Sequence, residues 1–132
     1  MKPLIAALLL GAGIASAEPL DTAQAFRDYV GGKTIYFDRG DGRGVTAAES
    51  YMEDRRVRWS ERDGTCIEGE WFARDGLICF TYENNPDPQC WAVERTSTGI
   101  VAVLRNGGFP TRIVESDPGK DAFQCLGPKV GV

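Results

Sequence analysis

Glu68 and Glu70 are the acidic pair in this sequence whose spacing could support acid–base chemistry. Residues two apart in a β-strand share one face and lie about 7 Å apart, and glycoside hydrolases use paired carboxylates at such separations. Side chains on one strand point in parallel, however, whereas a sugar substrate must lie between the two carboxylates. We therefore assign no catalytic residue, and a carboxylate-dependent hydrolase is kept only as a second alternative.

Histidine is absent from the chain, so the side chain that most often acts as general base or metal ligand is missing. Ser-His-Asp and Cys-His catalysis are therefore excluded. The four cysteines include no C-x-x-C pair, so zinc is not expected. Asn84, Asn85 and Asp87 could offer oxygen atoms to calcium, but two neighbouring prolines and the lack of a bidentate acid favour a rigid turn. We expect no metal and no cofactor.

Binding is the chemistry that the remaining residue types support. Trp59, Trp71 and Trp91 could line an apolar ligand cavity, or they could simply fill a packed core. Two loops, Asp38–Gly44 and Glu83–Gln89, could present polar contacts to a partner protein. The candidate contact residues in these loops are Asp38, Arg39, Asp41, Arg43, Asn84, Asn85 and Asp87.

One short helix and a series of short strands must position these residues. The spacing of apolar residues in Asp21–Val30 predicts a helix that Asp21 caps and Gly31-Gly32 ends. Beyond this point the apolar period changes to two, and glycine- and aspartate-rich turns separate the segments. The predicted strands are Thr34–Phe37, Arg55–Ser60, Cys66–Ala73, Leu77–Tyr82, Cys90–Arg95, Ile100–Arg105 and Phe109–Val114, whereas Thr46–Met52 is ambiguous between a helical turn and a strand.

The turns predict the register of the central strands. If Asp75-Gly76 is a two-residue hairpin turn, Trp71 faces Phe80 on the apolar, inner side of the sheet. If Arg62–Gly64 is a three-residue loop, the preceding hairpin uses the same inner face. The outer side of that hairpin then carries two pairs of opposite charge, Arg58 with Glu68 and Arg56 with Glu70.

A sheet with one apolar face must close or curl to bury that face. We predict a mainly β fold, in which an antiparallel meander of about seven or eight strands forms a small barrel or a curled sheet. The single short N-terminal helix is expected to cover an open end.

The first 17 residues are typical of a secretory signal peptide. Lys2 supplies a positive charge, Leu4–Ile14 is almost wholly apolar, and Ala15-Ser16-Ala17 is a cleavage motif. The apolar run is too short to span a bilayer, and no second long run follows it. We therefore predict a signal peptide over 1–17, a single disulfide-linked β domain over 18–132, a periplasmic or secreted location, and no stable membrane insertion after cleavage.

The net charge of the mature chain indicates which classes of partner to expect. Removal of Lys2 with the signal peptide leaves 15 − 1 = 14 basic and 19 acidic residues, a net charge of −5. A mildly acidic domain is poorly suited to nucleic acid or to an anionic membrane surface. The expected partner is therefore an unidentified protein or a small ligand.

Four cysteines in an exported chain predict two disulfides. The register places Cys66 roughly 20 Å along the strand from the residue that faces Cys79, too far for a disulfide. Cys79 and Cys90 lie on one face of neighbouring strands, which leaves Cys66 to pair with Cys125. The alternative connectivity joins Cys66 to Cys90 and Cys79 to Cys125.

Several motifs of the chain also form a recognisable set. RRVRWS, the C-x-x-G-x-W of Cys66–Trp71, the ICFTYENNPDPQCW of Ile78–Trp91 and the ending CLGPKVGV resemble a family of small exported bacterial proteins of unknown function. The C-F-x-Y…Q-C-W element is the most specific of these motifs. The resemblance implies an exported, compact β domain and brings no assigned catalytic residues. Lys129 stands where the family pattern has an acid.

Three function hypotheses follow from these residues. The preferred one is a binding or inhibitory module that acts on an envelope or extracellular partner through its loops. The alternative is a carrier of a small apolar ligand, with tryptophans lining the barrel. The hydrolase is the third.

Overall fold

The protein is a closed antiparallel β-barrel, which confirms the predicted mainly β fold. The computed structural model describes residues 16–108, 111–123 and 125, so the predicted signal peptide lies almost wholly outside the described residues. The elements are β1 (Glu18–Pro19), α1 (Ala23–Val30), β2 (Thr34–Asp38), β3 (Val45–Tyr51), β4 (Arg56–Glu61), β5 (Cys66–Arg74), β6 (Leu77–Tyr82), β7 (Asn85–Thr96), β8 (Gly99–Leu104) and β9 (Arg112–Glu115).

Eight strands form the barrel, and β1 is an addition to it. Strands β2 to β9 each pair with the next strand in sequence order, and the pairing of β2 with β9 closes the ring. The two residues of β1 pair with the end of β7. An edge this short carries little sequence signal, which explains why β1 was not predicted.

The central hairpins have the predicted register. Trp71 pairs with Phe80 across the Asp75-Gly76 turn, and both turn residues have positive φ, as a tight hairpin turn requires. In the neighbouring hairpin, Arg58 pairs with Glu68, and their side chains form an ion pair at 2.6 Å on the outer face. The alternation of strand residues therefore sends the apolar set inward.

The helix is shorter than predicted and has a different cap. Thr22, not Asp21, is the N-cap, and its hydroxyl accepts a hydrogen bond from the Ala25 backbone N–H at 3.1 Å. The prediction of Asp21 was wrong because either residue type can cap, and the choice depends on where the chain leaves β1. Among the described residues, no helix is long and apolar enough to cross a membrane.

Most predicted strand boundaries are correct to within one residue, and three segments differ more from the prediction or were left open by it. The ambiguous segment is a strand, β3, whose seven residues pair with both β2 and β4. Strand β7 begins five residues earlier than predicted, at Asn85, because it continues past a register shift opposite Phe80–Tyr82. The last strand, β9, starts at Arg112 rather than at residue 109, which lies outside the described residues.

Two disulfides join Cys66 to Cys125 and Cys79 to Cys90, which is the favoured connectivity of the sequence analysis. Disulfides of this kind are typical of proteins that fold outside the cytoplasm. Cys79 and Cys90 pair directly across β6 and β7. Cys125 is held against β4 by a second contact, since its backbone N–H donates to the Ser60 hydroxyl at 3.1 Å.

Helix α1 covers one end of the barrel. Phe26 is 1% exposed and makes edge-on contacts with the rings of Tyr51, Trp71 and Phe80, at centroid distances of 5.6, 5.0 and 6.2 Å. These rings come from β3, β5 and β6, so one helical side chain contacts three of the eight barrel strands. Gly31–Lys33 then leads directly into β2. The expectation that the helix covers an open end is therefore confirmed.

A carboxylate fastens the helix to the barrel at this end. Oε2 of Glu115 accepts hydrogen bonds from the Tyr29 hydroxyl at 2.6 Å and from the Ile100 backbone N–H at 2.8 Å. Burial and the neighbouring Glu115 raise the pKa of Tyr29 to about 12, so the phenol remains a donor at neutral pH. Gly99 makes room for the acid, because a Cβ at this position would lie 2.4 Å from Glu115 Oε2.

Candidate ligand-binding site

The barrel encloses a cavity of about 540 Å³. Ligand pockets for small molecules commonly measure about 300–1,000 Å³, so this volume suits a small organic molecule. The wall is mainly apolar and aromatic. Its lining residues are Phe26, Phe37, Arg39, Glu49, Tyr51, Trp59, Glu61, Ile67, Phe80, Tyr82, Asn84, Asn85, Gln89, Trp91, Val93, Ile100, Ala102, Leu104, Thr111 and Ile113.

The two ends of the cavity differ in chemistry. Phe26 of α1 contributes to the lining at the capped end, together with buried side chains such as Val93 and Ile100. At the opposite strand ends the lining is polar, and Arg39, Asn84 and Asn85 are among its residues. A molecule inside this cavity would therefore contact apolar side chains at the capped end and polar groups at the mouth, which is the open end of the barrel.

Stacked and edge-on aromatic rings form much of the wall. The rings of Phe37 and Trp59 stack with centroids 6.2 Å apart, and the rings of Phe80 and Tyr82 stack at 6.3 Å. Flat aromatic walls of this kind bind other π-systems and organic cations. The cavity thus favours ligands that present a ring, an aliphatic body or a positive charge.

Glu49 is the buried acid of this wall. It lies on β3 opposite Ile35 of β2 and Trp59 of β4, and it is 2% exposed. Oε1 accepts a hydrogen bond from the Tyr82 hydroxyl at 2.9 Å, whereas Oε2 is buried with no hydrogen-bond partner among the described residues. Because an unpaired buried polar atom costs about 1–3 kcal/mol, the fold retains Glu49 against its own stability.

Burial dominates the ionisation of this acid. Desolvation raises the pKa of Glu49 to about 8, although the hydrogen bond from Tyr82 acts in the opposite direction. The pKa of Tyr82 and that of Tyr51 are both raised well above the usual value, first by burial and then by the nearby Glu49. Both phenols therefore stay protonated and can donate, and Glu49 holds a proton at neutral pH when the cavity is empty.

Gly69 makes the Tyr82 contact possible. It pairs with Tyr82 across β5 and β6, and a Cβ on Gly69 would lie 2.6 Å from Cδ1 of the tyrosine ring. The missing side chain therefore leaves space for the ring to lie flat against β5. From there the Tyr82 hydroxyl reaches Glu49, two strands further round the barrel.

A polar network occupies the mouth. Oε1 of Glu61 accepts hydrogen bonds from Nε1 of Trp59 at 3.2 Å and from Nη2 of Arg39 at 3.4 Å. Because Arg39 and Glu61 are both partly exposed, this ion pair contributes little to stability. Its effect is to hold the Trp59 indole and to balance the charges at the entrance.

The three tryptophans singled out from the sequence have different positions. Trp59 and Trp91 line the cavity. Trp71 packs instead against Phe26 under the helix and carries the guanidinium groups of Arg27 and Arg55 on its ring, at 5.9 and 5.6 Å. The structure thus brings two of the three indoles to one site.

The predicted partner-contact residues are divided between the mouth and the exposed loops. Arg39, Asn84 and Asn85 line the mouth of the cavity. In the loop after β2, Oδ1 of Asp38 accepts from the Gly40 N–H at 2.6 Å, and Oδ1 of Asp41 accepts from the Arg43 N–H at 3.1 Å. These carboxylates shape their own loop. Asp87 is exposed, and its N–H donates to Asn85 Oδ1 at 3.2 Å.

The acidic pair with catalytic spacing lies on the outer face, away from the cavity. Glu68 forms the ion pair with Arg58, and Glu70 is exposed opposite Arg56. Each of these acids thus has the predicted arginine opposite it in the register.

Glu49 is the site residue that sequence reasoning missed. Its segment, Thr46–Met52, was ambiguous between helix and strand, so no face could be assigned to it. A signal was present, because strand alternation groups Glu49 with Ala47 and Tyr51, an acid between two apolar residues. An acid at an inward position of a barrel strand is costly to bury, so such a position identifies a residue whose partners must be examined.

No protein-family model, curated protein or solved structure matches this chain.

Proposed function

We propose that this protein carries a small, largely apolar ligand inside its barrel. The observation that supports the proposal most is the cavity of about 540 Å³, lined by aromatic side chains and containing one buried acid with an unpaired oxygen. A barrel that served only as a scaffold would gain stability by filling this space with side chains, since cavities cost stability in proportion to their volume.

The setting of the proposal is the bacterial envelope or the surrounding medium. The disulfides, the predicted signal peptide and the resemblance to small exported bacterial proteins all support it. We infer that the ligand binds after export, in the folded and oxidised protein. The hypothesis of a binding or inhibitory module stays a prediction, and three of its candidate residues would in this proposal contact the ligand at the mouth.

Fluorescence of a neutral apolar probe tests the proposal. N-phenyl-1-naphthylamine should bind the oxidised protein with one site, and the emission of Trp59 and Trp91 should change as it binds. Ala102→Phe places a ring inside the cavity and should abolish binding. Ala92→Phe adds the same ring on the outer face of the neighbouring strand, opposite Val103, and should leave binding unchanged.

Two outcomes would overturn the carrier proposal. One is the absence of saturable binding by the wild-type protein. The other is equal binding by both phenylalanine variants, which would place the probe on the surface. Far-UV circular dichroism of each variant checks that the barrel has folded.

A further inference from the structure

Resting on the proposed carrier function, we propose that the ligand is an organic monocation, an amine on an aromatic or aliphatic body, whose ammonium group binds Glu49. The juxtaposition that carries this inference is a buried carboxyl with an unpaired oxygen in a wall of aromatic rings. The carrier proposal requires only an apolar ligand; this inference names the polar group of that ligand.

The hydrogen bonding of Glu49 favours a donor as its partner. Tyr82 occupies Oε1, so Oε2 is the atom that a ligand must satisfy. An ammonium group presents three N–H donors, and its hydrogen bond to a carboxylate is assisted by the opposite charges. A neutral hydroxyl or amide could also pair with Oε2, but only a cationic group would balance the charge of the ionised carboxylate.

The charges of the cavity lead to the same ligand class. Its charged or acidic lining residues are Glu49, Glu61 and Arg39, and the last two form an ion pair with each other at 3.4 Å. Glu49 is thus the acid of the lining that has no basic partner among the described residues. A single positive charge on the ligand balances the ionised Glu49, whereas an anionic ligand would find no basic group in the described lining beyond Arg39, which is already paired with Glu61.

Aromatic faces supply the rest of the recognition. Trp59 lies next to Glu49 across β3 and β4, and Tyr82 contacts Glu49 directly. Cations bind over such rings within about 6 Å of the centroid. The body of the ligand would then lie between the ring pairs Phe37–Trp59 and Phe80–Tyr82.

Binding of an ammonium ion would release one proton from Glu49. The groups that face Glu49 are the phenols Tyr51 and Tyr82, with Arg39 and Glu61 further out at the mouth. In the empty cavity the Glu49 carboxyl is protonated at neutral pH. When an ammonium ion binds, the Oε2–H bond breaks, the proton passes to solvent, and an N–H···O bond to the carboxylate forms. Below the pKa of Glu49, ammonium affinity should therefore rise about tenfold per pH unit.

Titration calorimetry with two matched probes tests the inference. 1-Naphthalenemethanamine and 1-naphthalenemethanol differ only in the polar group, and at pH 7.5 the wild-type protein should bind the amine at least tenfold more tightly. Glu49→Gln should remove this preference and leave the alcohol affinity within about twofold. Glu68→Gln removes an acid from the outer face and should leave both affinities unchanged.

The possible results separate the two proposals. If wild-type protein binds amine and alcohol equally, the ligand is not a cation and the carrier function stands. If neither probe nor N-phenyl-1-naphthylamine binds, the carrier proposal fails and this inference with it. Should Glu49→Gln not fold, the wild-type pH profile decides the question: amine affinity should rise between pH 6 and 8 while alcohol affinity stays flat, and two parallel profiles would overturn the inference.

Discussion

Two acids on the inner face of the barrel have contrasting surroundings. Near the helix-capped end, one oxygen of Glu115 accepts two hydrogen bonds, from Tyr29 and from the Ile100 backbone. In the cavity, Glu49 accepts one bond from Tyr82 and keeps one buried oxygen unpaired. The first acid joins a helix to a sheet. For the second, the single hydrogen bond from Tyr82 satisfies only one of the two buried oxygens, which is why we propose a ligand as its further partner.

The two ends of the barrel are also stabilised by different means. Aromatic packing around Phe26 and the Glu115 hydrogen bonds hold the capped end. At the other strand ends, the Cys66–Cys125 disulfide ties the C-terminal segment to the start of β5. The capped end therefore depends on side-chain packing, whereas a covalent bond holds the chain at the opposite strand ends.

Removing the aromatic anchor of the capped end should have the largest effect. Phe26→Ala deletes a ring that contacts three others and should lower the free energy of unfolding by about 3–5 kcal/mol in urea denaturation. Phe72→Ala, on the outer face of β5, is the matched control and should cost less. Equal losses for the two variants would show that the cap is not a special source of stability.

Removing the covalent link at the mouth should have the next largest effect. Replacing Cys66 and Cys125 together by serine opens a loop with a sequence separation of 59, worth up to about 4 kcal/mol by chain entropy. The same change at Cys79 and Cys90 opens a separation of 11 and should cost about 3 kcal/mol. If the shorter loop costs more, packing around the half-cystines outweighs loop entropy.

A smaller loss is expected from crowding the acid at the capped end. Gly99→Ala places a methyl group 2.4 Å from Glu115 Oε2 at a φ of 124°, and it should cost about 1–3 kcal/mol. The control is Gly108→Ala, where a Cβ would meet nothing within 4 Å among the described residues. A thermal unfolding midpoint unchanged in Gly99→Ala would contradict the role given to Glu115.

The ionisation of Glu49 should make the free energy of unfolding depend on pH. The pKa of Glu49 is about 8 in the folded protein and near 4.5 when unfolded, so between these values only the folded state holds the proton. The stability due to this proton is fully present below pH 4.5, declines by about 1.4 kcal/mol per pH unit, and is lost above pH 8. Glu49→Gln lacks this dependence.

The measurement is urea denaturation of both proteins from pH 5 to pH 8. The difference in unfolding free energy, wild type minus variant, should fall steadily as pH rises. A constant difference would mean that Glu49 titrates as an ordinary exposed acid, and the contrast with Glu115 would then lose its basis.

Local signals made the centre of the barrel predictable. The Asp75-Gly76 turn and the strict alternation of β5 and β6 determine which residues face each other, and the disulfide connectivity follows from that register. The cavity was harder to predict, since its volume depends on how many strands close the ring. The ring closes through the pairing of β2 with β9, in which Phe37 lies opposite Glu115, and a pairing between such distant parts of the chain leaves no local pattern.

The site acid was unpredictable for a related reason. In Thr46–Met52 the residues Ala47, Ala48 and Glu49 suit a helix as well as a strand. Only the pairing with β2 and β4 makes this segment a strand, and only then does Glu49 face inward. Tertiary context therefore decided both the element and the role of its acid.

The absence of a side chain at Gly69 of β5 has a consequence beyond its own strand. Because Gly69 has no side chain, the Tyr82 ring can lie where its hydroxyl meets Glu49. A larger residue there would collide with the Thr81 backbone oxygen and with the Tyr82 ring, so the hydrogen bond from Tyr82 to Glu49 would be disturbed. A residue of β5 outside the cavity lining thus controls the surroundings of the buried acid, and a substitution there would change its acidity.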